Sequence, residues 1–397
     1  MPTLSHRAEL LPASPIRKLA PYAEAARKKG IRVYQLNIGQ PDIETPPAFF
    51  QAIQDADLKV LAYSHSAGTE SLRREILNYY ARLGHTLDLD DVLVTTGGSE
   101  ALSFVLGAIL DGGDEVIIPE PFYANYNSFT LTKDARVAPI TTRIDDNFAL
   151  PPIETFEALI TPRTRAILIC NPGNPTGILY PPESLQKLRE IVLKHDLFLV
   201  ADEVYREFVY DGLTHHSTLG LAGLEEHVIV VDSISKRFSA CGARIGCVLS
   251  RNRSLMDAIL RMAQARLSPP TFGQIGAEAV YRLPSDFYDA VIAEYSARRD
   301  TLKAALGRMK GVLCPEVNGA FYAMVRLPVD DSERFCQWML EEFSHEGSTV
   351  MMAPAGGFYA TPGLGHDEVR IAYVLNREDL SAAMDCLEAG LKAYPGR

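Results

Sequence analysis

The sequence of 397 residues is short of basic residues, of long apolar runs and of closely spaced cysteines. It has 39 Lys and Arg against 50 Asp and Glu, and the resulting charge of −11 argues against a nucleic-acid partner, because phosphate backbones attract basic surfaces. No window approaches the ~20 apolar residues of a membrane span, so no membrane partner is expected. The first residues, MPTLSHRAELLPAS, lack the apolar core of a signal peptide.

The six cysteines form no C-x-x-C pair and have no histidines at zinc-finger spacing, so no metal site is expected. Scattered thiols in a chain of this length are typical of small buried residues in a reducing compartment. The sequence also lacks internal repeats, low-complexity tracts and blocks of like charge. With 47% apolar and 22% charged residues, it predicts a globular cytoplasmic protein.

A regular alternation of strands and helices fills the middle of the sequence. Seven short apolar runs, from DVLVT at 91–95 to IGCVL at 245–249, are separated by helical segments such as 99–110 and 182–195, and a further helical segment follows at 252–267. Near-continuous apolar strands that alternate with amphipathic helices predict an α/β fold with a mostly parallel sheet flanked by helices.

The two ends of the chain predict a second, smaller unit. Beyond residue 284, a long helical stretch precedes strands near 321–327, 348–354 and 369–375 and helices at 333–343 and 379–391. Near the N-terminus, Ser14-Pro15 is expected to open a helix that ends at Gly30, followed by a strand at 33–38. We predict a large domain over 46–283 and a small α+β domain built from 1–45 and 284–397.

Four segments that follow predicted strands carry the chemically informative residues, and ligands of open α/β sheets bind at this edge. In VTTGGSEAL, Gly97 and Gly98 precede a helix start, where free N–H groups and the helix dipole attract an anion. In CNPGNPTG, a rigid loop could fix Asn174 as a donor. Taken alone, either segment is also compatible with a plain turn.

The other two segments supply charged groups. Asp202 ends the strand LFLVA, where a buried carboxylate is costly unless it meets a cation, and Tyr205 follows three residues later. In DSISKRFSACGARIG, Lys236 stands near Arg244 and Ser233. A lysine amine beside a phosphate-binding arginine suits covalent attachment of a phosphorylated aldehyde. Singly, the aspartate could be a helix cap and the lysine a surface charge; jointly, the four segments match the functional groups of pyridoxal 5′-phosphate.

With NPGNPTG, ADEVY and SISKRFSACGARIG in this order, the sequence resembles the class I, fold-type I pyridoxal-phosphate-dependent aminotransferases, and aspartate aminotransferases in particular. The resemblance covers nearly the whole chain and implies that residues 46–283 bind the cofactor. Lys236 resembles the lysine that holds the cofactor covalently and moves the proton. Asp202 resembles the partner of the pyridine nitrogen, and Asn174 and Tyr205 resemble donors to the ring oxygen.

The resemblance also implies the phosphate ligands. Ser233 and Arg244 resemble side-chain ligands of the phosphate. Backbone groups of Gly98, Ser99 and Glu100 would complete that site.

The remaining implied residues concern the ring, the dimer and the substrate. Tyr123 occupies the position of an aromatic residue that stacks on the ring. Tyr63 matches a tyrosine that reaches the neighbouring subunit's phosphate, so the resemblance implies a homodimer with shared active sites. Arg370 and Gly39 match residues at the substrate α-carboxylate, where Asn174 is also expected.

The sequence leaves the substrate side chain open. Aspartate-specific relatives add a second cation, and Arg261 and Arg266 flank one matching position, where Met262 stands. Another subgroup uses a lysine where this chain has Ser99. Arg17 is a further candidate, because the N-terminal segment of the family often lines the pocket.

We therefore predict transfer of an amino group between an amino acid and a 2-oxo acid, with aspartate and 2-oxoglutarate favoured over alanine or aromatic amino acids. A C–S lyase or decarboxylase on the same fold is a rival, disfavoured because Arg370 would retain the α-carboxylate. A cofactor-binding transcriptional regulator would need a basic N-terminal DNA-binding module, which the short N-terminal segment does not provide. A non-enzymatic binding protein would not need the lysine, aspartate and arginine together.

Overall fold

The computed structural model describes residues 2–396, and within them twelve strands are found. In chain order they are β1 Arg32–Gln35, β2 Val92–Thr95, β3 Glu115–Glu120, β4 Arg136–Thr141, β5 Thr164–Cys170, β6 Phe198–Asp202, β7 Val228–Ser233, β8 Gly246–Leu249, β9 Tyr322–Arg326, β10 Ser348–Met351, β11 Ala353–Pro354 and β12 Glu368–Ala372.

The same residues contain fourteen α-helices. They are α1 His6–Leu10, α2 Ala20–Lys28, α3 Pro47–Gln54, α4 Glu70–Arg82, α5 Gly97–Ile109, α6 Asn125–Leu131, α7 Ile153–Glu157, α8 Pro182–His195, α9 Ile234–Arg237, α10 Arg253–Arg266, α11 Thr271–Tyr281, α12 Phe287–Leu306, α13 Ser332–Glu341 and α14 Arg377–Ala393. None of these described helices has the length and apolar character needed to cross a bilayer.

The seven predicted middle strands form one sheet in the order β2-β8-β7-β6-β5-β3-β4. Every pairing is parallel except those of β8, which runs antiparallel to both β2 and β7. Two apolar layers cover the two faces, one containing Leu72, Ile191 and Val230 and the other Leu102, Val231 and Ile259. Strands buried on both faces explain the near-continuous apolar runs, and the α/β prediction is confirmed.

The N- and C-terminal segments together form a second group of strands and helices. β1 pairs in parallel with β10, and β9, β12 and β11 form a three-stranded antiparallel sheet. Their core combines Ala23 of α2 with Phe335 of α13 and Leu387 of α14. The N-terminal segment therefore packs with the C-terminal one, while the domain boundaries at 45/46 and 283/284 stay predictions.

The prediction of a helix starting at Ser14-Pro15 is wrong, because residues 15–19 form a turn and α2 begins at Ala20. The carbonyl of Ser14 accepts from the N–H groups of Arg17 and Lys18 at 3.1 and 3.0 Å. The carbonyl of Ile16, however, accepts from the side chain of Asn37 at 2.7 Å instead of continuing a helix. Residues 14–17 thus become an irregular segment beside the sheets.

Candidate active site

A cavity of about 390 Å³ lies at the carboxyl edge of the large sheet and is closed on its other side by β9, β12 and the N-terminal segment. Most of the sequence-predicted site residues line this cavity, although they come from widely separated positions. They are Gly39, Gly98, Ser99, Tyr123, Asn174, Asp202, Tyr205, Ser233, Lys236, Arg244 and Arg370.

One end of the cavity is an anion cradle at the N-terminus of α5. No side chain caps this helix start, so its first N–H groups face the cavity. Gly97 has φ +75°, and a Cβ there would lie 2.4 Å from a guanidinium nitrogen of Arg244, so only glycine fits. Arg244 itself has φ +55°, a left-handed conformation that is unfavourable for a side-chain-bearing residue.

Lys236 is half-buried at the centre of the cavity, in the one-turn helix α9 that follows β7. Its Nζ donates to the carbonyl of Gly39 at 2.8 Å and lies 3.8 Å from Cys241 Sγ. The hydroxyl of Ser233 is nearby, 2.7 Å from that of Ser235. A lysine amine is therefore held between the anion cradle and the loop after β1 that carries Gly39.

Asp202, at the end of β6, is the only carboxylate among the cavity-lining residues. Burial raises its pKa to about 6, although a hydrogen bond from Tyr126 and a backbone N–H bond from Val204 lower it. The hydroxyl of Tyr126 donates to Asp202 Oδ2 at 2.7 Å. A carboxylate that burial makes costly is well suited to a cationic ring nitrogen, which would stabilise its charged form.

Two hydrogen-bond donors line the cavity from the loops that follow the neighbouring strands β5 and β6. The hydroxyl of Tyr205 lies 2.9 Å from that of Tyr322, and burial raises the pKa of Tyr205 well above its ordinary value, which keeps it protonated. Asn174 accepts from Arg370 at 2.9 Å through Oδ1, so its Nδ2 remains able to donate to a ligand. Both groups can therefore bind an oxygen of a ring held beside Asp202.

Arg370 forms the second end of the cavity, on β12. It is almost fully buried, and this burial lowers its pKa from the ordinary arginine value. Its guanidinium also donates to the carbonyl of Asn37, stacks 4.5 Å from the ring centroid of Tyr322 and leaves Nε without a partner. A buried cation with an unfilled donor requires an anionic ligand, and the planar fork suits a carboxylate.

The space at the Arg370 end of the cavity depends on the absence of a side chain at Gly39. A Cβ on Gly39 would lie 1.6 Å from the hydroxyl oxygen of Tyr322, so any other residue would displace the tyrosine. The carbonyl of Gly39 is thereby kept within reach of Lys236.

Together these features define a site for a phosphorylated ring that carries a cation, an oxygen substituent and a carbon reactive toward lysine. The cradle fits the phosphate, Asp202 fits the ring nitrogen, and Arg370 remains for a substrate carboxylate. These residues fit pyridoxal 5′-phosphate, so the fold and the site are those of an enzyme that uses this cofactor.

The comparisons with known proteins identify the family. Residues 31–387 match the family model of class I and II aminotransferases, and the chain belongs to this family. It is a pyridoxal-phosphate-dependent aminotransferase.

Relatives with different names are similarly close. The chain is 29% identical to an aspartate aminotransferase of Pyrococcus horikoshii, with 98% of this chain and 97% of the relative covered. It is 29% identical to aromatic-amino-acid aminotransferase 2 of Thermococcus litoralis, with 98% of each covered. The structure of an alanine aminotransferase from Pyrococcus furiosus superposes with a TM-score of 0.89 at 30% identity, covering 99% of this chain and 100% of that one.

Several predicted residues lie outside the cavity. The carboxylate of Glu100 accepts from the backbone of Thr96 at 2.7 Å and pairs with Arg266 at 3.2 Å, so a phosphate role would fall to its backbone alone. Tyr63 is 78% exposed and does not line the cavity of its own chain. Of the three candidate arginines, only Arg17 lines the cavity, because Arg266 is held by Glu100 and Arg261 is exposed on α10.

Sequence reasoning missed three contributors to the site: Tyr126, Tyr322 and Asn37. Tyr126 stands in PFYANY, 76 residues before Asp202, and only the parallel sheet brings them together. A histidine also lies beside the site, since the side chain of His215 is only 8% exposed. Its Nε2 lies 3.1 Å from the carbonyl of Asn171, at the start of the Asn174 loop, and burial keeps its pKa well below the ordinary value.

Proposed function

We propose that the enzyme transfers the amino group of aspartate to 2-oxoglutarate. The observation that carries this proposal is the charge of the cavity, which is lined by four cationic side chains and one carboxylate: Arg17, Lys236, Arg244 and Arg370 against Asp202. We assign three of these cations to other groups: Arg244 to the phosphate, Lys236 to the cofactor aldehyde and Arg370 to the substrate α-carboxylate. Arg17 remains, and a second carboxylate on the substrate would use it.

The position of Arg17 supports this assignment. Burial raises the pKa of the Tyr123 hydroxyl to about 12, and the guanidinium groups of Arg370 and Arg17 oppose that rise. The two arginines therefore act on the same hydroxyl from their places in the cavity wall. No ion pair joins Arg17 to a carboxylate within residues 2–396, so its charge is available to a ligand.

The chain's own residues divide the work of the reaction. Bound pyridoxal phosphate supplies the electron sink for breaking the bond between Cα and its hydrogen. Lys236 Nζ takes the proton from Cα, Asp202 stays ionised against the ring nitrogen, and Arg370 fixes the α-carboxylate. Because aspartate and 2-oxoglutarate both carry a distal carboxylate, one cation serves both half-reactions.

The test is a set of single-turnover half-reactions in which aspartate, glutamate, alanine and phenylalanine are each mixed with the loaded enzyme and followed by absorbance. Aspartate and glutamate should convert the cofactor with the highest kcat/KM. Arg17→Gln should raise the KM for aspartate at least about tenfold, on the order of 1.4 kcal/mol. Lys18→Gln is the matched control, because Lys18 pairs with Glu333 at 2.5 Å outside the cavity.

Two results would refute the preference for acidic substrates. One is alanine or phenylalanine reacting faster than aspartate in the wild type. The other is an equal loss of aspartate and alanine activity in Arg17→Gln. Alanine or an aromatic amino acid would then become the better assignment, as for the relatives that carry those names.

We also propose a homodimer in which Tyr63 reaches the partner's phosphate site. An exposed apolar strip runs through the same part of the chain: Leu58, Val60 and Leu61 are 44%, 76% and 60% exposed. Such a strip favours burial against another copy, and a two-fold interface would exchange one Tyr63 for another. Sedimentation should give a dimer, Tyr63→Phe should weaken cofactor binding, and a monomer with full activity would refute the proposal.

We propose the cytoplasm as its compartment. Support comes from the six cysteines, all of which are free thiols, including the cavity residue Cys241. A reducing compartment keeps such thiols reduced. Cell fractionation with an antibody against the native protein would test this, and recovery from an oxidising compartment would contradict it.

A further inference from the structure

The N-terminal segment and the α-carboxylate arginine are connected through one residue, Asn37. Its backbone carbonyl accepts a hydrogen bond from Arg370, and its side-chain Nδ2 donates to the carbonyl of Ile16 at 2.7 Å. Asn37 is 1% exposed and follows β1, so it is fixed by the strand as well. Asn37 thus contacts Arg370 directly, and it contacts Ile16, the neighbour of Arg17. One buried residue is therefore linked to both arginines of the cavity wall.

Apart from the bond to Asn37, the polar anchor of the segment that carries Arg17 is the ion pair of the neighbouring Lys18 with Glu333 at 2.5 Å. Residues 15–19 are a turn without strand pairing, closed by the Ser14 carbonyl. Pro15 packs over Gly357, where a Cβ would lie 2.5 Å from the proline Cβ, and Ile16 packs with the cluster that contains Phe358. These apolar contacts keep the segment beside β9 and β11, but apolar contacts are not directional and do not set how far the Arg17 side chain extends into the cavity. A directional bond to the Ile16 carbonyl does.

Resting on the proposed function, we infer that Asn37 is a positioning residue for side-chain specificity, which sets the distance between the two carboxylate-binding arginines. Phe358 reinforces the link, since the Arg370 guanidinium lies 4.9 Å from its ring centroid while Ile16 packs in the same cluster. A dicarboxylate has two charged ends at a fixed separation, so its binding depends on this distance. A monocarboxylic amino acid uses only the Arg370 end.

This coupling gives Asn37 an effect that a residue of general structural importance would not have. Loss of the side-chain bond should leave the backbone carbonyl, and with it Arg370, in place. It should loosen only the segment that carries Arg17. Binding of aspartate and 2-oxoglutarate should weaken, whereas binding of alanine should stay the same.

The experiment is a double-mutant cycle of Asn37→Leu and Arg17→Gln in the loaded enzyme, with Lys18→Gln as control. Leucine keeps the branch at Cγ that asparagine has, and it removes the buried polar group together with its bond. Asn37→Leu should raise the KM for aspartate and 2-oxoglutarate at least about fivefold, with kcat and the alanine KM within about twofold. In the Arg17→Gln background it should add less than about twofold, because both changes act through one contact.

A second measurement keeps the inference testable if the substitution weakens the fold. Hydrogen exchange of the Arg17 and Lys18 amides, which bond to the Ser14 carbonyl, should speed up in Asn37→Leu while that of β12 amides stays unchanged. Asn37→Ala should show the same pattern.

Three outcomes would overturn the inference: parallel loss of aspartate and alanine activity, independent effects in the double variant, or unchanged kinetics and exchange. The proposed function fails on a different result, namely no selective aspartate loss in Arg17→Gln alone. The two failures are therefore distinguishable.

Discussion

The two ends of the cavity are built in different ways. The cofactor end comes from short loops that each follow or precede a strand of the large sheet, so that Ser233, Lys236 and Arg244 lie within twelve residues of sequence. The substrate end joins Asn37 to Arg370, which are 333 positions apart. The cofactor end is thus built largely from local motifs, whereas the substrate end depends on packing between distant parts of the chain.

The sharpest test of the cofactor end is Lys236→Ala. Removing the amine should lower turnover by at least about 10⁴-fold and abolish the visible absorbance of the covalently bound cofactor, since no other amine lines the cavity. Lys133→Ala is the control, because Lys133 bonds to Ser103 outside the cavity. A Lys236→Ala enzyme that turns over at near the wild-type rate would place the covalent lysine elsewhere.

The matching test of the substrate end is Arg370→Gln. The loss of a buried, charge-assisted fork should lower kcat/KM by about 10²–10³-fold, roughly 3–4 kcal/mol, for aspartate and alanine alike. Steady-state kinetics with both amino acids would measure this, and Arg17→Gln should differ by sparing alanine. If alanine keeps its wild-type kcat/KM, Arg370 does not bind the α-carboxylate.

A third prediction concerns how much the buried Asp202 carboxylate lowers the free energy of unfolding of the cofactor-free protein. Its folded pKa of about 6 lies above the ordinary value of 3.8, so the folded state binds more protons between these values and stability falls as the pH rises through them. Asp202→Asn should therefore stabilise the cofactor-free protein by about 3 kcal/mol at pH 8 and about 1 kcal/mol at pH 4.5.

Urea unfolding of both proteins at the two pH values would measure this difference. The groups that act on Asp202 besides burial are Tyr126, Val204, Asp232 and Lys236. A gain that is equal at both pH values, or a loss at pH 8, would show that the carboxylate is not strained in the absence of the ring. Adding pyridoxal phosphate should reverse the order of stability.

The smallest expected effect is that of Tyr126→Phe. Loss of the 2.7 Å bond to Asp202 should raise the pKa of the carboxyl further and weaken cofactor binding about tenfold, within the range for hydrogen bonds to charged groups. Equilibrium titration of the cofactor would measure it. Tyr210→Phe provides the control, because Tyr210 bonds to the carbonyl of Ala320 away from the cavity. Equal effects of the two changes would reduce Tyr126 to a packing role.

The contrast between local motifs and long-range packing also explains how much of the fold and the site the sequence could predict. The seven strands of the large sheet were recognisable from apolar runs, and residues such as Asp202 and Lys236 from their places after those runs. The turn at 15–19 was not, because a distant asparagine takes the carbonyl that a helix would need. Tyr126 and Tyr322 were missed for a related reason: their roles depend on partners in other strands, which no local pattern encodes.

The antiparallel pairing of β7 with β8 places both ends of one connection at the same edge of the sheet. Ser233 at the end of β7 pairs with Gly246 at the start of β8, so the chain must leave and re-enter the sheet at the same edge. Between these two points it presents Lys236 and Arg244, eight positions apart. An inserted residue would displace the amine or the guanidinium, whereas the loop at 211–217 could lengthen without touching either. Evolution can therefore vary the outlying loops of such enzymes more freely than the spacing of this pair.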